Sequence, residues 1–182
     1  MRGFTLIELL VTLSVIGIIM AIAVPNLRDF IVSTRLSSNV NSFVGLVSYA
    51  RSEAIVRNKQ VIICAKNNSG NTCATTDEWE KFETQIFVDE DGSDSFNTGD
   101  TLLKIIPAID VTGDQFRFSK IGSSPNLIKF QSGGFGTGLF HFKLYAVNAS
   151  DTAYETKYGR SICISRPGRA RVLGLIGGTT CP

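Results

Sequence analysis

From Phe4 to Val24 the chain runs through 21 residues with one charge among them, Glu8. A helix rising about 1.5 Å per residue would carry such a run across a hydrocarbon layer of about 30 Å, so the pattern predicts a membrane-spanning helix. Pro25 stands where the bilayer would end; it removes one backbone donor and kinks a helix without necessarily ending it. Further on, Val40, Phe43, Val44, Val47, Ala50 and Ala54 recur at three- and four-residue spacing. That spacing sets one apolar stripe against a core and leaves Arg35, Asn39, Ser42, Arg51 and Glu53 mostly off it. One helix is therefore expected from about Thr5 to Arg57.

After Arg57 the period changes. Val61-Ile62-Ile63 and Gln85 to Val88 read as strands, as do Phe116 to Ser119, Leu127 to Gln131, Leu139 to Val147, Ser161 to Ser165 and Arg169 to Leu173. In the longest run Phe140, Phe142, Leu144 and Ala146 share one face and Leu139, His141, Lys143 and Tyr145 the other, as a half-buried strand requires. Ser132 to Gly138 reads as a flexible loop. The fold class is α+β, a long helix on an antiparallel sheet, and about 125 residues behind the helix suffice for one core.

Charge sharpens the picture. The net charge of +2 hides an acidic middle, with eleven acids between Ala74 and Asp114 against Lys81 and Lys104, and a basic end, where Lys157, Arg160, Arg166, Arg169 and Arg171 meet no acid after Thr156. Glu8 within the apolar run asks for a cation, since a carboxylate in lipid is costly. Removal of Met1 to Gly3 would supply one, a new α-amino group at Phe4, from the same chain or a neighbouring subunit.

Gly3-Phe4-Thr5-Leu6-Ile7-Glu8, the unbroken apolar run and Pro25 together resemble the class III signal of type IV pilins and type II secretion pseudopilins. The resemblance implies that a prepilin peptidase cuts between Gly3 and Phe4 and methylates the new amine, and that Glu8 neutralises a subunit terminus during filament assembly. It also implies a pilin-like fold in four parts: a leader (1–3), the transmembrane half of the helix (4–24), its amphipathic half (25–57) and a periplasmic β-rich domain (58–182). The expected location is the inner membrane, crossed once, and after assembly a pilus at the cell surface. Ala50-Arg51-Ser52-Glu53-Ala54 is similar to the ARSEA stretch of the GspH/FimT-like minor pilin branch.

Four cysteines in an exported domain favour disulfides. Three pairings are possible; loop closure favours Cys64 with Cys73 across Asn67 to Gly70, leaving Cys163 with Cys181, and some thiols staying free is the alternative. Asp89-Glu90-Asp91-Gly92-Ser93-Asp94 invites calcium, but the twelfth position from Asp89 is Asp100 where a bidentate glutamate belongs, so an exposed, charge-rich hairpin connection is the expectation. Trp79 reads as packing or a turn anchor, and His141 as a surface strand residue. No nucleophile, base and orienting group come together along the chain, and neither an enzyme nor a cofactor is expected.

The richest chemistry is Ser165-Arg166-Pro167-Gly168-Arg169-Ala170-Arg171. Pro167-Gly168 is a turn pair, and beyond it Arg169 and Arg171 project from one side of an extended segment. With Arg166 beside them and no local acid, three guanidiniums await a polyanion, and Lys157 and Arg160 would widen the patch. Gly168-Arg169-Ala170-Arg171 resembles the GRxR pattern of FimT-like minor pilins, which implies binding of the double-stranded DNA backbone during natural transformation. The competing expectation is a structural minor pilin or GspH-type pseudopilin that primes a pilus or type II secretion filament and touches only protein partners, its arginines meeting other subunits.

Overall fold

The computed structural model describes residues 4–67, 70, 72–75, 79–110, 115–121, 126–147, 157–174 and 181, the side chain of Pro25 excepted. The chain forms two compact units, residues 1–35 and 36–182. Helix α1 spans Leu6–Arg57 and passes through Pro25 without a break in assignment.

In the first unit the side chains of Phe4 to Val24 are all exposed, an apolar surface that water would not tolerate and lipid would. α1 holds a stretch long and apolar enough to cross a membrane. Its few hydroxyls are satisfied within the helix: Thr12 Oγ1 donates to the Leu9 carbonyl (2.8 Å) and Ser14 Oγ to the Leu10 carbonyl (2.8 Å). Thr5 caps the helix with Glu8. Its N–H and hydroxyl donate to Glu8 Oε2 at 2.9 and 2.8 Å, and the Glu8 N–H returns to Thr5 Oγ1 at 3.3 Å. This is the reciprocal box that Ser/Thr-x-x-Glu forms at a helix start, and it explains why α1 begins at Leu6 and not at Thr5.

The second unit buries Leu36, Val40, Phe43, Leu46, Val47, Ala50 and Ala54 of α1, the expected stripe with Leu36 and Leu46 added and Val44 half-buried. α1 stops where Asn58 turns left-handed (φ 52°), and the N–H groups of Asn58 and Lys59 donate back to the carbonyls of Ile55 and Ala54, both at 3.3 Å.

Eight strands follow: β1 Gln60–Ala65, β2 Thr84–Asp89, β3 Thr101–Ile106, β4 Phe116–Lys120, β5 Leu127–Phe130, β6 Phe140–Ala146, β7 Gly159–Ile164 and β8 Ala170–Gly174. They make two four-stranded sheets, in orders β3-β2-β1-β5 and β4-β6-β7-β8, with every pairing antiparallel. β3 is a strand the sequence pattern does not announce. Its Thr-Leu-Leu-Lys-Ile-Ile has apolar doublets where alternation is expected, and it lies at a sheet edge with Leu102 and Ile105 exposed, so the ladder to β2 holds it and no buried face does.

Phe43 joins helix to sheet. Its ring meets Phe118, Phe142 and Trp79 edge-on, with centroids 4.6, 5.5 and 6.3 Å away. Trp79 is a packing residue, buried among these rings at the start of a 3-10 turn, Trp79–Lys81. β1 is buried along both faces. Ile62 and Cys64 form a second small core with Phe87, closed by Cys73, Phe96 and Leu127. The Cys64–Cys73 disulfide fastens that side. Glu80, one of the acids of the middle, is wholly buried; its carboxylate accepts from the Phe118 N–H (3.0 Å) and Arg117 Nη1 (3.2 Å), which ties the 3-10 turn to β4.

Candidate nucleic-acid interface

β7 and β8 form a hairpin in which Cys163 faces Arg171 and Ile164 faces Ala170. Its turn is tight, with the Ser165 N–H donating to the Arg169 carbonyl (3.0 Å) and the Gly168 N–H to the Ser165 carbonyl (2.8 Å). Arg166, Arg169 and Arg171 are all exposed. Arg169 and Arg171 lie two residues apart at the edge of their sheet, about 6.6 Å along a strand and on one side of it. Among the described residues none of the three pairs with a carboxylate.

The turn is mounted, not loose. The Gly136 N–H donates to the Arg166 carbonyl at 2.7 Å, so the glycine-rich segment expected to be a flexible loop is stitched to the hairpin. It is also folded on itself, the Gly134 N–H reaching the Gln131 carbonyl at 2.7 Å. Arg51 of α1 closes the arrangement by donating Nε–H to the Gly134 carbonyl at 3.1 Å. Gly168 has a φ of 76°, and a Cβ there would stand 2.8 Å from both Arg51 Cδ and the Gly134 carbonyl oxygen. The position requires glycine twice over, by conformation and by space. Arg51 is thus not a solvent-side residue of the helix, as the stripe implies, but half-buried beneath the turn.

Of the two residues expected to widen the patch, Arg160 lies elsewhere. Arg160 is the second residue of β7, opposite Gly174; it stands three residues from Cys163, the partner of Arg171, and so on the other face of the sheet, and its Nη1 donates to the Gly159 carbonyl at 2.8 Å. Lys157 Nζ rests over the Tyr158 ring, 4.9 Å from its centroid. Arg160 leaves the cluster because strand residues alternate between faces, which sequence distance does not show.

Several acids of the middle are paired within the chain. Glu90 pairs with Lys59, Asp94 with Lys129, and Glu83 with Lys66 at 3.0 Å. In the β2–β3 connection Asp89 accepts the N–H groups of Gly92, Ser93 and Asp94, and Asp100 those of Glu90 and Asn97. Hydrogen bonds from Ser93 hold the Asp91 carboxyl below its ordinary range. Asp89, Asp91 and Asp100 approach one another closely enough to share a cation, and their oxygens also accept hydrogen bonds from the loop's own amides.

Cys163 is bonded to Cys181, which pins the tail to β7. His141 lies across from Cys163 with Nε2 2.6 Å from Ser161 Oγ, half-buried, and burial pushes its pKa down. The two sulfurs beside it are committed to each other, so the trio is not a thiolate metal site. At the other end of the chain Phe4 and Glu8 are exposed, Glu8 already turned to Thr5, while Gly3 lies outside the described residues.

A family model described as type II transport protein GspH matches residues 39–168, and one described as the prokaryotic N-terminal methylation motif matches residues 1–24. A fimbrial protein of Pseudomonas aeruginosa is 38% identical over 64 residues, 35% of this chain and 41% of that protein. The type IV major fimbrial protein FimA of Dichelobacter nodosus is 44% identical over 45 residues, 25% of this chain and 28% of that one. The chain spans less than half the length of either curated relative. In fold it is similar to the type IV minor pilin FimU of Pseudomonas aeruginosa, with a TM-score of 0.54 and 18% identity over 77% of this chain and 89% of that one. With a pilin-type N-terminus, a long helix on antiparallel sheets and a GspH match across most of its length, the chain belongs to the GspH family of type IV pilin-like proteins and pseudopilins.

Proposed function

We propose that this chain is a minor type IV pilin that binds double-stranded DNA through the phosphate backbone, with Arg166, Arg169 and Arg171 as the contacts and Gly168 as their mount, and that it serves DNA uptake in natural transformation. The observation that carries the reading is three exposed guanidiniums on one rigid turn with no carboxylate partner among the described residues. Of the acids that could have served them in a neighbouring subunit, Glu83, Glu90 and Asp94 are engaged by Lys66, Lys59 and Lys129 of the same chain. Guanidiniums on an edge strand neutralise phosphates without reading bases, so binding is insensitive to sequence and weakened by salt. A prepilin peptidase removes residues 1–3 and methylates the new amine of Phe4, residues 4–24 hold the chain in the inner membrane, residues 25–57 continue the helix, and residues 58–182 form the periplasmic domain that joins other pilin subunits in the filament.

The second reading is a structural minor pilin or pseudopilin that primes a pilus or secretion filament without touching DNA. What favours it is the description of the matching family as a type II transport protein, and the end of that match at residue 168, before Arg169 and Arg171. A gel shift separates the two, using the full chain in nonionic detergent with two duplexes of unrelated sequence at low and high salt. Both duplexes shift at low salt under the DNA reading, and Arg169→Ala with Arg171→Ala raises the chain concentration needed to shift either of them. An unshifted duplex with the unmodified chain overturns it in favour of the structural one.

A further inference from the structure

Two grooves flank the arginine turn. One, of about 440 Å³, has Arg51, His141, Pro167, Arg169 and Arg171 in its walls; the other, of about 400 Å³, lies between α1 and β8 and is lined by Val44, Ser48, Arg51, Gly168, Arg169 and Arg171. Arg51, Arg169 and Arg171 are common to both.

Arg51 differs from the other two in how it is held. It is half-buried, its Nε–H is given to the Gly134 carbonyl at 3.1 Å, and its stem lies under Gly168 so closely that a Cβ there would come within 2.9 Å of Nε. No carboxylate pairs with it among the described residues. A guanidinium carries five N–H donors, and the Gly134 bond occupies one of them. A cation that shares two grooves with two like charges, and has one backbone carbonyl but no carboxylate of its own chain among the described residues, is left with repulsion to be offset from outside. That arrangement is complementary to an anion, and the guanidinium's remaining donors match the paired oxygens of a phosphate.

We propose that Arg51, Arg169 and Arg171 form a phosphate-binding trench between α1 and β8, in which Arg51 touches a backbone phosphate directly. The proposal rests on the DNA-binding reading above and adds to it a cation supplied by the helix and not by the hairpin. Preorganisation is the consequence: Arg51 loses little conformational freedom on binding, because Gly134 and Gly168 have already fixed its stem, whereas the exposed arginines of the turn must be ordered.

Fluorescence anisotropy of one labelled duplex against the full chain in nonionic detergent, over a series of salt concentrations, tests this. Every phosphate that a substitution leaves without its cation takes about 0.9 from the slope of log affinity against log salt. Arg51→Gln is expected to weaken binding about tenfold at low salt and to lower the slope by about 0.9, whereas Arg51→Lys keeps the slope of the unmodified chain. Arg51→Gln that binds as before, or that weakens binding with the slope unchanged, overturns the trench, since Arg51 would then be idle or only a prop for the turn. Should Arg51→Gln fail to fold, the Arg51 Nε–H resonance of the unmodified chain decides: it moves saturably with added duplex under the proposal and stays in place otherwise. An unmodified chain that binds no duplex overturns the DNA reading and the trench together, so the two failures are distinguishable.

Discussion

Replacing Gly168 by alanine tests whether the arginine turn is a rigid mount. At a φ of 76° an alanine carries the left-handed penalty of about 1–2 kcal/mol before any contact is considered. Its Cβ would then meet the Gly134 carbonyl oxygen and Arg51 Cδ at 2.8 Å, closer than such atoms come. The oxygen cannot yield without disturbing the Arg51 Nε–H bond to it, and the turn cannot rise without stretching the 2.7 Å bond from the Gly136 N–H to the Arg166 carbonyl. Breaking one such bond adds about 1 kcal/mol, so the expected cost is about 2–3 kcal/mol. Urea unfolding of the full chain in detergent reads it as a lower midpoint at unchanged slope. Gly138→Ala is the control, because nothing lies within 4 Å of the added carbon and the expected change is within about 0.5 kcal/mol. If Gly168→Ala is as harmless as Gly138→Ala, the turn is not clamped between helix and loop, and the account of Arg51 goes with it.

Breaking the Cys163–Cys181 link with paired serines removes a closure across 18 residues and is expected to cost about 3 kcal/mol by the same unfolding assay, less the more structure the unfolded chain retains. Burial holds His141 below its ordinary pKa, so the unfolded chain takes up a proton that the folded one resists. Its contribution is intact above about pH 6.5 and is lost as the pH falls from there through the folded value; His141→Gln should flatten the stability profile over that window. Mass spectrometry of the chain recovered from its native membrane should find Phe4 at the N-terminus with a methyl group added; an intact Met1 would contradict processing at Gly3.

The stem and the turn are legible in the sequence because each rests on local chemistry. An apolar run of the right length, a stripe at helical spacing and a Pro-Gly pair between arginines carry their meaning in neighbouring residues. The Thr5-x-x-Glu8 box is equally local, yet a carboxylate inside an apolar run points first to an outside cation and only second to its own helix end. Arg51 is not legible: its partner carbonyl at Gly134 is 83 residues away, and only the closed fold turns a residue off the stripe into part of the site. Glu80 reverses the same lesson. Counted among acids of a polar middle, it is wholly buried because the Phe118 N–H and Arg117 are there to receive it. Arg160 belongs to the patch by sequence distance, which the extended hairpin does not respect.

The claim on which the account turns is that three turn arginines displace counterions from DNA, and the salt dependence of duplex affinity measures it. Three phosphate contacts predict a log–log slope of about −2.7, hence a loss of about 40-fold between 50 and 200 mM salt, and a trench contact from Arg51 would steepen it by about 0.9. Arg169→Ala with Arg171→Ala should make that slope shallower by about 1.8. A duplex affinity that is flat with salt, or a slope that the double substitution leaves unchanged, would contradict it.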